Sequence, residues 1–205
     1  RLNPEGTAIL VTVPKGVSRA KALDFTERSR AWIEARVLAR GTNIPLRAGS
    51  HIPFRGTFHE IRHLPLRRGT VAADPLNAII HVPGDLPHVA RRLTDWLKSV
   101  ARAELTLASA RYAIAMGVNY RRITIRDQRS RWGSCSAAGD LSYSWRLILT
   151  PPYVLDYVAA HEVAHLKYLD HSPGFWRLVL THCPDAARAK KWLKTHGHGV
   201  HRIVA

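Results

Sequence analysis

At 205 residues the chain is long enough to bury a core as one domain or two small ones, without a metal or disulfide to hold it together. Its two cysteines exclude a disulfide framework, and no apolar run approaches the roughly 18 to 20 residues that span a bilayer. Lys and Arg outnumber Asp and Glu by 31 to 15, but the excess is even: 16 basic and 8 acidic residues fall in 1–100, and 15 and 7 in 101–205. That spread favours a solvated basic surface over a dedicated nucleic-acid stripe, so weak, unspecific nucleic-acid binding is the most the charge predicts. With no signal-peptide pattern and no membrane segment, the sequence reads as cytoplasmic.

Thr7 to Val13 is β-branched and apolar and is closed by Pro14-Lys15-Gly16, the pattern of a strand and turn. Ser18 is an N-cap for a helix predicted to about Arg40, with Ala22, Phe25, Ile33, Val37 and Leu38 in its apolar stripe. Gly, Pro and Asn between 41 and 56 mark a loop. Phe58, Ile61, Leu64, Val71 and Ile79 to Val82 then predict short antiparallel strands separated by Arg67-Arg68-Gly69 and Asp74-Pro75. Residues 1–84 are thus read as a small N-terminal α+β unit.

Asp85 caps a long helix predicted from Leu86 to Met116, where Val89, Leu93, Trp96, Leu97, Val100, Leu105 and Leu107 recur with mostly helical spacing and Gly117 closes. Arg122 to Asp127 and Leu141 to Leu149 read as two strands joined through a turn at Ala138-Gly139-Asp140. Thr150-Pro151 starts a helix that buries Val154, Leu155, Val158 and Ala159 and ends near Leu169. Ser172-Pro173 starts another with Phe175, Trp176, Leu178 and Val179, and a last short helix from Asp185 to Thr195 stops at Gly197. No internal repeat occurs.

Within HEVAHLKYLDHSPGFW, residues 161–176, His161 and His165 are four apart on a predicted helix and therefore lie one turn above the other on one face. Both imidazoles can reach one ion. Glu162 sits about 100° round the helix from His161, where it can hold a metal-bound water and take its proton, the general-base position of a zinc peptidase. A catalytic zinc needs three protein ligands and an open position, and His171, just past the helix, is the natural third. No Glu follows Glu162, so a downstream glutamate ligand is excluded; Tyr168 stands where a metzincin has its turn glycine, and the only methionine, Met116, lies upstream. Asp170, Asp185, His182 and the His196, His198, His201 tail are weaker ligand candidates, with Asp170 near enough to support an imidazole.

The chain resembles the YgjP-like metallopeptidases, a family related to the SprT-like proteases. The residues that carry the resemblance are RSRWGSC at 129–135, LSYSWRLIL at 141–149, PPYVLDYVAAHEVAHLKYLDHSPGFW at 151–176 and CPDAARAKKWLKTHG at 183–197. It runs from about Tyr120 to Gly197, and the strand-helix-strand order of the first 115 residues is also similar. Ser144 stands where the family often has Asn. The resemblance implies a Zn2+ site on His161, His165 and His171 with Glu162 as base, and a zincin-like catalytic domain. Kinship to SprT-like enzymes, some of which act on protein crosslinked to DNA, gives a nucleic-acid-associated protease as an alternative, and a non-catalytic metal-binding protein is a second.

The expected protein is α+β: a small N-terminal strand and helix unit over 1–84, and a zincin-like domain over 85–205 whose HExxH helix packs on a small antiparallel sheet. The substrate is a peptide or protein, added as an extended strand along an edge such as Leu141 to Leu147. Arg131, Tyr153, Tyr157 and His182 are the candidates for gripping the substrate or stabilising its oxyanion. The loop around Arg129 and Arg131 has a structural reading too, in which Trp132 packs, Gly133 turns the chain and Cys135 is a buried thiol.

Overall fold

The computed structural model describes residues 11–14, 16–29, 43–128 and 130–204. The chain forms two compact units, Arg1–Asn43 and Ile44–Ala205. In the first, helix α1 (Arg19–Arg28) starts where the sequence places it: Ser18 has extended backbone and its Oγ accepts the Lys21 N–H at 3.4 Å. The strand predicted over 7–13 lies mostly outside the described residues, as does the helix beyond Ser29 with Ile33, Val37 and Leu38.

The second unit opens and closes on one short ladder, β1 (Ile44–Pro45) running parallel to β9 (Ile203–Val204). A four-stranded sheet comes next, formed by β2 (His51–Phe54), β3 (Thr57–Leu64), β4 (Ala72–Asp74) and β5 (Ile79–Pro83) in the order β2-β3-β5-β4. The pairs β2/β3 and β4/β5 are antiparallel as expected, but β3 and β5 are parallel. Ile52, Phe54, Ile61, Ile80 and Val82 share one core with Leu93, Leu97 and Leu105 of helix α2 (Val89–Met116). That common core joins residues 44–84 to the long helix, so the compact units divide at Asn43 rather than at the expected 84/85 boundary. Helix α2 ends as predicted on Gly117, whose left-handed φ of 65° closes the last turn. Its buried stripe passes through Ala101, Leu105, Ala108 and Tyr112 and leaves Leu107 72% exposed.

The β2/β3 hairpin turns on Arg55 and Gly56, both at positive φ, and its tip fixes the start of the motif helix. The Arg55 N–H donates to Ile148 O at 2.8 Å, and a Cβ on Gly56 would stand 2.9 Å from the Pro151 backbone, so only glycine fits.

The sheet beneath the site is mixed, not antiparallel. Strands β6 (Arg122–Arg126), β7 (Gly133–Cys135) and β8 (Asp140–Ser144) lie in the order β6-β8-β7. Strand β8 runs parallel to β6, with Arg122 opposite Asp140, and the hairpin across Gly139 pairs it with β7 instead. Both edges of β8 are therefore taken, which rules out peptide addition along Leu141 to Leu147. Residues 145–149 are not strand either: they form a 3₁₀ segment capped by Ser144, whose Oγ accepts the Arg146 N–H at 3.4 Å and donates to Gln128 O at 3.3 Å. Arg146, only 2% exposed, pairs with Asp127 and donates to Ile203 O at 3.2 Å, tying β6, the 3₁₀ segment and β9 together.

Three helices complete the unit: α3 (Pro152–Ala164), α4 (Pro173–His182) and α5 (Ala186–Val200). Helix α3 stops at Ala164, short of the predicted Leu169, and α5 runs past Gly197 instead of ending there. A Cβ on Gly197 would lie 3.1 Å from the Trp132 ring, so this glycine serves close packing and not helix termination. Among the described residues no helix is long and apolar enough to cross a membrane.

Candidate metal and catalytic site

His161 lies in the last turn of α3, His165 caps its C-terminus with helical backbone, and His171 stands after the turn that leads into α4. The candidate ligand atoms of these three side chains all lie within 4.8 Å of one another, and the Nε2 atoms of His161 and His171 are 3.1 Å apart. Among the described residues, this is the one His, Cys, Asp and Glu group that converges in this way.

One hydrogen bond fixes which nitrogen of His165 faces inward. His165 Nδ1 is 2.9 Å from Tyr168 O, and because a carbonyl only accepts, Nδ1 carries the proton and the Nε2 lone pair is left for the cluster. His161 Nδ1 lies 3.4 Å from the Tyr157 hydroxyl, one helical turn earlier. Burial pushes the His161 imidazolium down to about 3, assisted by the other two imidazoles and Lys190, and burial also lowers His165. With Nδ1 of His165 turned to a carbonyl, Nδ1 of His161 turned to a hydroxyl, and the Nε2 atoms of His161 and His171 3.1 Å apart, the three rings offer nitrogen donors to one common centre. The donor set therefore fits a divalent metal with a preference for nitrogen ligands.

Helix α4 supplies the wall. Ser172 caps it, its Oγ accepting the Phe175 N–H at 3.4 Å, and that cap sets the first turn against the histidines. The fully buried Phe175 stacks on His165 at 4.5 Å and meets His161 and His171 edge-on at 4.9 and 4.8 Å. Trp176 stacks on His171 at 5.6 Å, and Lys190 of α5 places its Nζ 3.9 Å from the Trp176 ring centre. Glu162, 6% exposed, lies next to His161 in sequence and packs its side chain against Gly133 of β7. Burial raises its carboxyl to about 8, with the Arg131 charge opposing the shift.

The model of the YgjP-like, metallopeptidase domain matches residues 1–196. The chain belongs to this family. It is accordingly a metallopeptidase, a hydrolase of peptide bonds, with an α+β fold. No curated protein matches the chain. Among solved structures, the crystal structure of the metallopeptidase zymogen of Pyrococcus abyssi abylysin aligns at 21% identity with a TM-score of 0.39, covering 44% of this chain and 94% of that one. The family implies a metal ion, and the three-histidine group is where this YgjP-like chain offers ligands for one.

Of the remaining sequence candidates, Tyr157 points at His161. Tyr153 lies beneath the Arg188 guanidinium, 3.9 Å from its ring centre, and His182 ends α4 outside the histidine group. Arg131 is exposed at the approach to β7, where its charge reaches Glu162. Asp170 accepts the Ser172 N–H at 3.2 Å and so shapes the turn into α4. Cys135 is half-buried and Cys183 buried, both as free thiols. Gly133 does not turn the chain but lies within β7 against Glu162. The stacking by Phe175 and Trp176 and the Tyr168 carbonyl depend on how α4 folds back, which spacing along the chain does not reveal.

Proposed function

We propose that this metallopeptidase is zinc-dependent, with His161, His165 and His171 as ligands and Glu162 as general base. The observation that carries the reading is the convergence of three imidazoles within 4.8 Å, two of them with their Nδ1 atoms turned to a hydroxyl or a carbonyl. When bound there, zinc supplies Lewis-acid polarisation of the scissile carbonyl and makes water acidic enough to be deprotonated near neutral pH. Glu162, next to His161 on the same helix, would be held in its ionised form by a cation in the neighbouring histidine site, which offsets the burial that raises its carboxyl; the carboxylate takes a proton from the attacking water and delivers it to the leaving amine nitrogen. Tyr157 and the Tyr168 carbonyl hold the first two imidazoles in orientation, and Phe175 and Trp176 keep water from the far side of the cluster. An extended peptide is accommodated on β7, the edge strand nearest Glu162, with Arg131 at its approach to hold a substrate carbonyl or carboxylate.

Glu162→Gln tests this directly. The amide keeps shape and hydrogen bonding but cannot accept the proton, so zinc content is retained and peptide hydrolysis falls by roughly 10² or more. Unchanged turnover removes Glu162 as base, and loss of zinc together with turnover makes the residue structural.

A further inference from the structure

Strand β7 approaches α3 so closely that the side chain of Glu162 occupies the space a residue at 133 would need. A Cβ built on Gly133 would stand 2.6 Å from Glu162 Cγ, 2.6 Å from its Oε1 and 2.8 Å from its Cδ, all well inside contact distance. The backbone of Gly133 is not at positive φ, so the glycine is required by this approach and not by a turn. Gly133 is held in register opposite Tyr143, whose ring is fully buried and whose hydroxyl lies 2.9 Å from Ser109 Oγ on α2. The strand therefore cannot retreat without breaking the core. Two residues on, and on the same face of the strand, Cys135 is close enough to feel the Glu162 charge. A glycine with a small thiol two positions later forms a shallow seat in which the carboxylate arm lies.

We propose that Gly133 is a positioning residue for Glu162: by having no side chain it lets β7 press on the Glu162 arm and hold the carboxylate beside the three histidines. The inference rests on Glu162 being the base. Any larger residue at 133 meets a strand and a helix that are both locked into the core, and so pushes the Glu162 side chain aside from Cγ outward. A displacement of about 1 Å at a reacting group costs up to roughly 10² in rate.

The test is a pair of mutant cycles. In wild-type background Gly133→Ala is expected to retain zinc, keep KM within about twofold and lower kcat by roughly tenfold or more. In the Glu162→Gln background the same change should cost less than about twofold in residual turnover, because its target is already disabled. Thermal unfolding supplies a readout independent of activity: Gly133→Ala lowers Tm in the presence of Glu162, and Glu162→Ala, which removes the clashing atoms, abolishes most of that loss. Equal Tm losses in both backgrounds, or full kcat in Gly133→Ala, overturn the proposal. If Gly133→Ala alone does not fold, folding of the Gly133→Ala, Glu162→Ala double variant supports it and failure of the double variant overturns it. A fully active Glu162→Gln protein would instead refute the base assignment, while the Tm cycle would still decide the contact.

Discussion

The hydroxyl of Tyr157 lies 3.4 Å from Nδ1 of His161, one turn earlier on the same helix and away from the side on which the imidazoles meet. Burial pushes its phenol up to about 12, so it stays protonated at any working pH and can orient the imidazole in either hydrogen-bonding role. It is thus better placed to tune a ligand than to stabilise an oxyanion. Tyr157→Phe is expected to weaken zinc affinity by roughly 10- to 100-fold while leaving kcat nearly unchanged at saturating zinc. Zinc titration against a chelator, with kinetics then measured on the loaded protein, separates the roles: a large fall in kcat with unaltered zinc affinity returns Tyr157 to the oxyanion.

The three histidines should behave as one set. His161→Ala, His165→Ala and His171→Ala are each expected to reduce bound zinc from about one per chain to a small fraction, since two imidazoles leave the site below the three protein ligands of a catalytic zinc. Asp170→Ala should keep most of the metal, because its carboxylate accepts the Ser172 N–H and shapes the turn without entering the cluster. Elemental analysis after dialysis reads all four variants. Full zinc in His171→Ala combined with loss in Asp170→Ala would mean that the ligand set is drawn wrongly.

The helix that carries His161 was legible because its signals are local. Spacing alone puts His161 and His165 on one face, and Ser172 before Pro173 announces the next helix. The sheet was less legible because pairing is not local. Residues 122–126 and 140–144 look like a hairpin across Gly139, yet the intervening Gly133–Cys135 takes the antiparallel place and leaves β6 and β8 parallel. Trp145 to Leu149 has strand composition, but Ser144 caps a 3₁₀ segment there and the whole stretch is buried through tertiary contacts. Glycines mislead in one consistent way: Gly133 and Gly197 read as turn and stop, whereas Gly133 marks a place where Glu162 comes too near for a Cβ and Gly197 a tight approach of Trp132.

Cys135 carries a pH-dependent prediction. Burial, reinforced by the Glu162 and Asp140 charges, pushes its thiol up to about 11. A raised thiol favours the protonated folded state, so its contribution to stability is complete below the ordinary cysteine value and is lost as pH rises toward about 11. At pH 8 only about one molecule in a thousand then carries the thiolate. Iodoacetamide labelling of the native protein should be slow near neutrality and accelerate about tenfold per pH unit through pH 10, with denaturant restoring the rate of a free cysteine. Burial raises Cys183 in the same direction, and peptide mapping resolves the two. Rapid labelling of Cys135 at pH 7 would contradict this environment.

Nucleic-acid binding should be weak, for reasons the structure adds to the even charge distribution. Arg55, Arg62, Arg111, Arg121 and Arg122 all form ion pairs with carboxylates, and Asp140 alone engages two of them. A phosphate contacting these groups must compete with an acid already in place, so they release fewer counterions than the net charge alone suggests. Affinity for labelled single- or double-stranded DNA is expected to be no tighter than micromolar at physiological salt and to depend little on sequence. Arg131→Ala, which removes a cation whose charge reaches Glu162, should impair peptide turnover more than DNA retention. Submicromolar binding that survives physiological salt and collapses in Arg131→Ala would instead make the approach to β7 a nucleic-acid contact and favour a protease that acts on DNA-associated substrates.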